Sequence, residues 1–263
     1  MNINRELLDN TVEAVSRAGE IILQAWDRPR NIRHKGRIDL VTDTDVAVEK
    51  ELLKSLARVL PEANFLAEET AGETALQEGP TWIVDPLDGT TNFAHKIPFV
   101  AVSTALWHRG RVVMGIVYLP VLGEMYSSAL DQGAYLNGER IRVTDTEDLQ
   151  KSLVATGFPY TIQSDVEEVL AYLRQVLVTA RGVRRCGSAA SDLAYTAAGR
   201  FDAFYEIGLK PWDTAAGACL VREAGGHVTS MDGLDYVPGQ RTILASNGQV
   251  HQQVIKMLGE GRN

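Results

Sequence analysis

Nowhere is the chain more constrained than at Asp85-Pro86-Leu87-Asp88-Gly89-Thr90-Thr91-Asn92-Phe93. The run before it, Thr81-Trp82-Ile83-Val84, is apolar and β-branched, the pattern of a buried strand. Two carboxylates follow where that strand is expected to stop, and Pro86 between them forbids an early helix. Gly89 permits a sharp turn and a close approach to a ligand. Thr90, Thr91 and Asn92 suit helix capping or polar ligand contacts. A strand end bearing two anions thus meets a helix start whose free N–H groups favour a phosphate. Carboxylates and phosphate repel unless a cation stands between them, so the stretch reads as a metal-dependent phosphate site. Taken alone, Asp-Pro-x-Asp-Gly is also ordinary turn chemistry, and the rest of the chain has to decide.

The net charge is −8, from 26 Lys+Arg against 34 Asp+Glu, which argues against a basic nucleic-acid groove or an anionic-membrane surface. It is compatible with a site that concentrates carboxylates for divalent cations. Cys186 and Cys219 read as unpaired thiols in a reducing compartment, and no CxxC or Cys/His spacing supports zinc. His34, His95, His108, His227 and His251 show no HExxH-like grouping. Leu8, Val12, Val15, Gly19, Ile22 and Trp26 recur at helical spacing among charged residues, so the first segment is an amphipathic helix rather than a leader sequence. No run of apolar residues is long enough to span a bilayer, and the expected location is the cytoplasm, away from membranes.

A basic tract from Arg30 to Arg37 follows, with Lys35 beside Gly36 as a cation in a loop. Thr42 or Asp43 is suited to cap a helix over 45–60, and three acids, Asp39, Asp43 and Asp45, exceed what one cap needs. Asn64 to Ala67 predicts a short strand ending in Glu68-Glu69, of which only one would face a shared site. Residues 70–79 have the composition of a mobile flap. From Phe99 to Arg142 the pattern is a β-meander with a hairpin turn at Asn137-Gly138. Beyond it, strands and helices alternate, including a helix capped by Ser188 and one beginning at Asp213. The change of pattern near 143–152 divides the chain into 1–145, an antiparallel α+β half, and 146–263, a mixed α/β half. The expected class is a layered α+β or α/β sandwich.

One more segment matters: Trp212-Asp213-Thr214-Ala215-Ala216-Gly217, which sets a carboxylate at a helix N-terminus. Together with Asp85–Phe93, with Ala67-Glu68-Glu69 upstream and with Gly187-Ser188-Ala189-Ala190 before an Ala-rich helix, it resembles the inositol monophosphatase family. The resemblance spans nearly the whole chain and implies alternating α-β-α-β-α layers and a magnesium-dependent, lithium-sensitive sugar phosphatase. It implies that Glu68, Asp85 and the Leu87 carbonyl hold one Mg²⁺, and that Asp85 bridges to a second completed by Asp88 and Asp213. Two such ions clamp the attacking and leaving oxygens of an in-line displacement. Glu68 and Thr90, with Asp45 behind Thr90, then orient and deprotonate a water, while amides of Gly89 and Thr90 hold phosphate oxygens.

By the same resemblance Gly187, Ser188, Ala189, Glu206 and Asp213 meet the alcohol's hydroxyls, and Lys35 and Asp39 lie near a third, weaker metal or the flap. The implied substrate is inositol 1-phosphate or a related small polyol monophosphate, and the implied assembly a homodimer. Fructose 1,6-bisphosphate, a 3′-phosphonucleotide and histidinol phosphate are alternative substrates on the same fold. An added regulatory role on a transcription complex is a further reading, whereas direct nucleic-acid binding is not expected of so acidic a chain.

Overall fold

The computed structural model describes residues 3–28, 32–34, 40–70, 76 and 78–261. Lys35, Asp39 and most of the expected flap, residues 71–75 and 77, lie outside them. Helix α1 (Arg5–Ala25) is capped by Asn4, whose Oδ1 accepts the Leu7 N–H at 2.8 Å. It buries Leu8, Thr11, Ala14, Val15, Ala18, Gly19 and Ile22, one face of a 3.6-residue period. The ribbon β1 (Ile32–His34) and β2 (Leu40–Thr42) pairs antiparallel and leads into α2 (Asp43–Val59). Thr42 is the cap of α2, and Asp45 reaches back to the Thr42 N–H at 2.8 Å, closing a capping box. Both helices pack on one face of a large sheet.

Among the described residues that sheet has seven strands in spatial order β3 to β9: Asn64–Ala67, Thr81–Asp88, Ala101–His108, Arg111–Leu119, Glu124–Ala129, Gly133–Leu136 and Glu139–Ile141. Only the β3–β4 pair is parallel; the others form the meander that the sequence suggested. Trp82 and Val84 of β4 face α1 and α2, and Ile83 faces the opposite side. Burial on both faces is why β4 and β5 read as continuous apolar runs rather than alternating ones.

After the short helix α3 (Thr90–Ala94) and the meander, the second half supplies β10 (Leu153–Thr156), α4 (Ile162–Thr179), β11 (Gly182–Arg184) and α5 (Ala189–Ala197). It continues with β12 (Ala203–Ile207), α6 (Pro211–Glu223), β13 (His227–Thr229), β14 (Thr242–Ser246) and α7 (His251–Glu260). Its five strands order as β11-β10-β12-β14-β13, parallel on one side of β12 and antiparallel on the other. Helices α5 and α6 lie between the two sheets and share one core with both. That position explains their composition: α6 is buried from Thr214 through Val221, so small residues are needed on every side. Helices α4 and α7 cover the outer face of the second sheet around Val176, Tyr205, Leu244 and Val254. The layers therefore run α-β-α-β-α, as the fold class required.

Candidate functional site

Three separate segments bring four acids to one end of the central helix layer. Glu68 follows β3, its backbone N–H donating to the Val84 carbonyl at 3.1 Å and extending the parallel pairing by one residue. Asp85 and Asp88 come from β4, and Asp213 from the first turn of α6. Here the expectation that the strand stops at Val84 is corrected, because β4 continues through Asp88. Its pairing with β5 shifts register between Asp85 and Asp88, and this irregularity accommodates Pro86, which has no N–H to offer a regular ladder. The two acids are thus held by the sheet itself. Helix α6 likewise begins two residues before Asp213.

Each acid is fixed by the backbone around it. Asp85 Oδ1 accepts the Leu87 N–H at 2.9 Å. Asp88 Oδ2 accepts the Ser188 hydroxyl and the Ala190 N–H, each at 2.7 Å, which ties β4 to the start of α5. Asp213 Oδ2 accepts the Lys210 N–H at 2.7 Å. Gly89 turns the chain at φ 93°, and a Cβ there would approach the Phe99 carbonyl to 2.8 Å, so the turn needs glycine both for conformation and for space. Asn92 closes the same junction, donating through Nδ2 to the Phe99 carbonyl at 2.7 Å and the Cys186 carbonyl at 2.8 Å.

The electrostatics are those of acids pressed together out of water. Burial, then the charges of Glu68, Asp88 and Asp213, push the Asp85 carboxyl well above its ordinary range, and Glu68 lies within hydrogen-bonding range of it. Burial and the neighbouring Asp88 and Glu68 raise Asp213 in the same way. Burial pushes Asp88 up to about 6, against the pull of its bonds to Ser188 and Ala190 and of the Arg185 charge. Among the described residues no three His, Cys, Asp or Glu side chains form a ready metal cage. The donor set nonetheless fits a hard cation that completes its shell with waters and a carbonyl, since it consists of buried carboxylate oxygens in mutual repulsion.

Asp45 is 1% exposed, and burial raises its carboxyl against the bonds it accepts from Thr42 and Thr90. Thr90 Oγ1 lies 3.0 Å from Asp45 Oδ1 and 3.1 Å from the Leu87 carbonyl. The one hydroxyl proton can serve only one of these acceptors at a time. Of the adjacent glutamates, Glu69 turns its N–H to buried Glu49 at 2.8 Å, a partner that the sequence reading did not foresee.

A cleft of about 260 Å³ opens from Asp88, Gly89, Thr90 and Asp213 towards Gly187, Ser188, Ala189 and Glu206. All the substrate contacts named from sequence therefore border one space. Glu206 is buried on β12, and a Cβ on Gly157 would overlap its carboxylate at 2.2 Å, so that glycine makes room for the acid. Burial first, then Asp192 and Asp213, raise the Glu206 carboxyl. Phe158, Arg185 and Asp192 are among the further lining residues that were missed. Arg185 stacks over the Phe158 ring at 5.3 Å. A lone charge in the Ala-rich segment 189–198 was the available signal for Asp192.

The model of the inositol monophosphatase family matches residues 3–261. Inositol monophosphatase 2 of Solanum lycopersicum is 41% identical, the match covering 97% of this chain and 98% of that protein. The Nus factor SuhB of Salmonella typhimurium is 38% identical over 93% of this chain and 92% of its own. The crystal structure of the extragenic suppressor protein suhB from Bartonella henselae superposes with a TM-score of 0.91 at 37% identity, covering 96% of this chain and 98% of that one. A layered sandwich with a carboxylate cluster beside a polar cleft defines the class, a phosphoric monoester hydrolase. The chain belongs to the inositol monophosphatase family, whose members are phosphatases and generally depend on metal. No helix among the described residues is long and apolar enough to cross a membrane.

Proposed function

We propose that the chain is a Mg²⁺-dependent phosphatase that converts inositol 1-phosphate, or a related small polyol monophosphate, to the free alcohol and phosphate. The observation that carries this reading is the convergence of Glu68, Asp85, Asp88 and Asp213, the last two lining a cleft that Glu206 also borders. Glu68, Asp85 and the Leu87 carbonyl would hold one ion and Asp85, Asp88 and Asp213 a second. Bound there, the ions supply Lewis-acid stabilisation of the charge on the transferring phosphoryl group and a more acidic attacking water.

The chain's own groups supply the rest. With the Leu87 carbonyl engaged elsewhere, the Thr90 proton goes to Asp45, and a Thr90 lone pair is free to orient the water. Glu68 takes the proton from that water. The N–H groups of Gly89 and Thr90 hold phosphate oxygens. Glu206 and Asp213 accept from the alcohol's hydroxyls alongside Gly187, Ser188 and Ala189. No covalent phosphoenzyme forms, because Asp85 and Asp88 serve as ligands rather than nucleophiles.

The test is phosphate release from inositol 1-phosphate, fructose 1,6-bisphosphate, a 3′-phosphonucleotide and histidinol phosphate, with and without Mg²⁺ and Li⁺. Release from inositol 1-phosphate should exceed the others, require Mg²⁺ and fall with Li⁺. Undiminished release in chelator would overturn the mechanism. A homodimer in the cytoplasm is the accompanying expectation, checked by sedimentation and by fractionation. The likeness to a protein named a Nus factor favours one added reading, a role on a transcription complex. Co-purification of transcription factors with wild type and with Asp88→Asn separates that role from catalysis.

A further inference from the structure

Among the described residues that line the cleft, Arg185 is the one Lys or Arg. It lies just past β11 and is exposed, and its guanidinium keeps its charge at any pH the fold tolerates. Two contacts hold that group in place. Its Cζ stands 5.3 Å from the centre of the Phe158 ring, a cation–π distance. Its Nη1 lies over Gly187, where a Cβ would come within 2.6 Å of it. The Gly187 carbonyl in turn packs against Gly89, 3.3 Å from the Cβ that this glycine lacks. The guanidinium therefore sits between the phosphate end of the cleft and Glu206, and its charge bears on the carboxyls of both Asp88 and Glu206. Among the described residues it forms no hydrogen bond and no ion pair, so its N–H donors are fixed beside the substrate space without an acceptor there.

Which acceptor fits follows from the surroundings. The transferring phosphate already has the Gly89 and Thr90 amides and the proposed ions. A second anionic group would meet the Asp88 and Glu206 carboxyls as well as Arg185. A hydroxyl avoids that conflict, because its lone pairs accept from the guanidinium and it stays neutral beside the acids. Burial raises the Glu206 carboxyl, and a hydroxyl can pair with that group whether or not it carries a proton. Two neighbouring hydroxyls on one carbon skeleton therefore suit this pair of side chains, one turned to Arg185 and the other to Glu206. The rigid, planar guanidinium adds direction that a flexible ammonium lacks.

We propose that Arg185 is a further specificity-determining residue, whose guanidinium donates a hydrogen bond to a hydroxyl of the substrate's alcohol moiety next to the one that Glu206 holds. The assignment rests on the polyol-phosphatase reading above and deepens it. Arg185 and Glu206 together make the cleft selective for alcohols that carry neighbouring hydroxyls, and the Phe158 ring keeps the donors aimed.

The experiment compares wild type, Arg185→Met and Arg185→Lys on inositol 1-phosphate and on cyclohexyl phosphate, which presents the same six-membered carbon ring without hydroxyls. Methionine keeps an apolar stem against Phe158 and removes the donors. In Arg185→Met the ratio of kcat/KM for inositol 1-phosphate to that for cyclohexyl phosphate should fall about tenfold, the loss of one hydrogen bond from a charged donor. The fall should come chiefly through KM for the inositol ester, since the bond is made equally in ground and transition states. Arg185→Lys retains a charged donor and should recover part of the ratio. Melting and sedimentation report fold and assembly separately, and both should match wild type. An unchanged ratio, an equal fall on both esters, or a lysine variant as poor as the methionine one overturns the proposal while the phosphatase reading stands. So does a fall accompanied by altered sedimentation or a lowered melting temperature, which assigns Arg185 to assembly or to the fold. Wild type that does not prefer inositol 1-phosphate, or that cleaves neither ester, overturns the underlying reading before any variant is compared, and this assignment with it.

Discussion

Two buried polar clusters hold carboxylates, and they are built on opposite terms. Asp202, at the start of β12, is 6% exposed and fully served. Its Oδ1 accepts the Thr144 hydroxyl at 2.6 Å and its Oδ2 the Leu153 N–H at 2.7 Å, while Asn247 donates to Thr144 and to the Thr146 carbonyl at 2.8 Å each. The network pins the 143–152 crossover to the second sheet and asks nothing of a ligand. At the other cluster Asp85, Asp88 and Asp213 are pressed together with Glu68, and burial and like charge drive Asp85 and Asp213 towards the protonated form. Burial alone therefore does not mark function. A buried acid whose oxygens all have donors is structure, whereas buried acids that repel one another call for a cation.

The largest expected effect breaks the comparison on its functional side. Asp88→Asn keeps shape and can still accept from Ser188 and Ala190, but it removes one hard anionic ligand. Turnover should drop by about a thousandfold or more, roughly 4 kcal/mol of barrier, with circular dichroism and melting preserved. The preserved melting is a cooperative transition of the folded variant, whose midpoint shifts with pH and Mg²⁺; a folded variant with near-normal turnover would defeat the mechanism. Asp202→Ala makes the reverse change, leaving the Leu153 N–H and the Thr144 hydroxyl without their acceptor. Urea unfolding should show a loss of about 2–3 kcal/mol, with kcat at saturating substrate unaltered below the transition. Equal losses of activity and stability would erase the distinction between the clusters.

The sequence made one of these clusters far more legible than the other. Asp85, Asp88 and Asp213 stand beside turn and cap residues, so local chemistry and family resemblance both pointed to them. The layered fold was also readable, because strand and helix periods alternate cleanly and α5 and α6 are apolar on all sides. The run of β4 past Pro86 was not readable, since proline is tolerated there only through a register shift that the partner strand provides. Asp192 and Arg185 were missed for a related reason. Their meeting with Glu206 depends on how α5 and β12 pack, and nothing in their immediate neighbours records it. Asp202 gave no signal either, because its partners, Thr144 and Leu153, lie 58 and 49 positions away.

A smaller effect is expected where the two terms meet, at Thr90 and its acceptor Asp45. Thr90→Val removes the hydroxyl and leaves Asp45 Oδ1 without that donor. Steady-state kinetics should show kcat down by about tenfold, with KM little changed, because water orientation is lost while the ester still binds. A rise in KM at constant kcat would mean instead that Thr90 acts in binding alone.

The smallest effect is a pH dependence of stability in chelator, and its sign discriminates. The Asp88 carboxyl stands at about 6 in the folded chain against 3.8 for the ordinary group, chiefly through burial. Between those values the folded protein holds a proton that the unfolded chain has released. Stability conferred by this group is thus intact below 3.8, declines as pH rises through the window, and is lost above about 6. Asparagine cannot ionise. Metal-free Asp88→Asn should therefore melt above metal-free wild type at alkaline pH, with the gap closing as pH falls towards 4. Added Mg²⁺ should reverse the order, because the wild-type site gains a bound ion and the variant gains less. A gap that widens on acidification would mean that Asp88 is stabilised as an anion by the protein alone. The cluster would then resemble Asp202 after all.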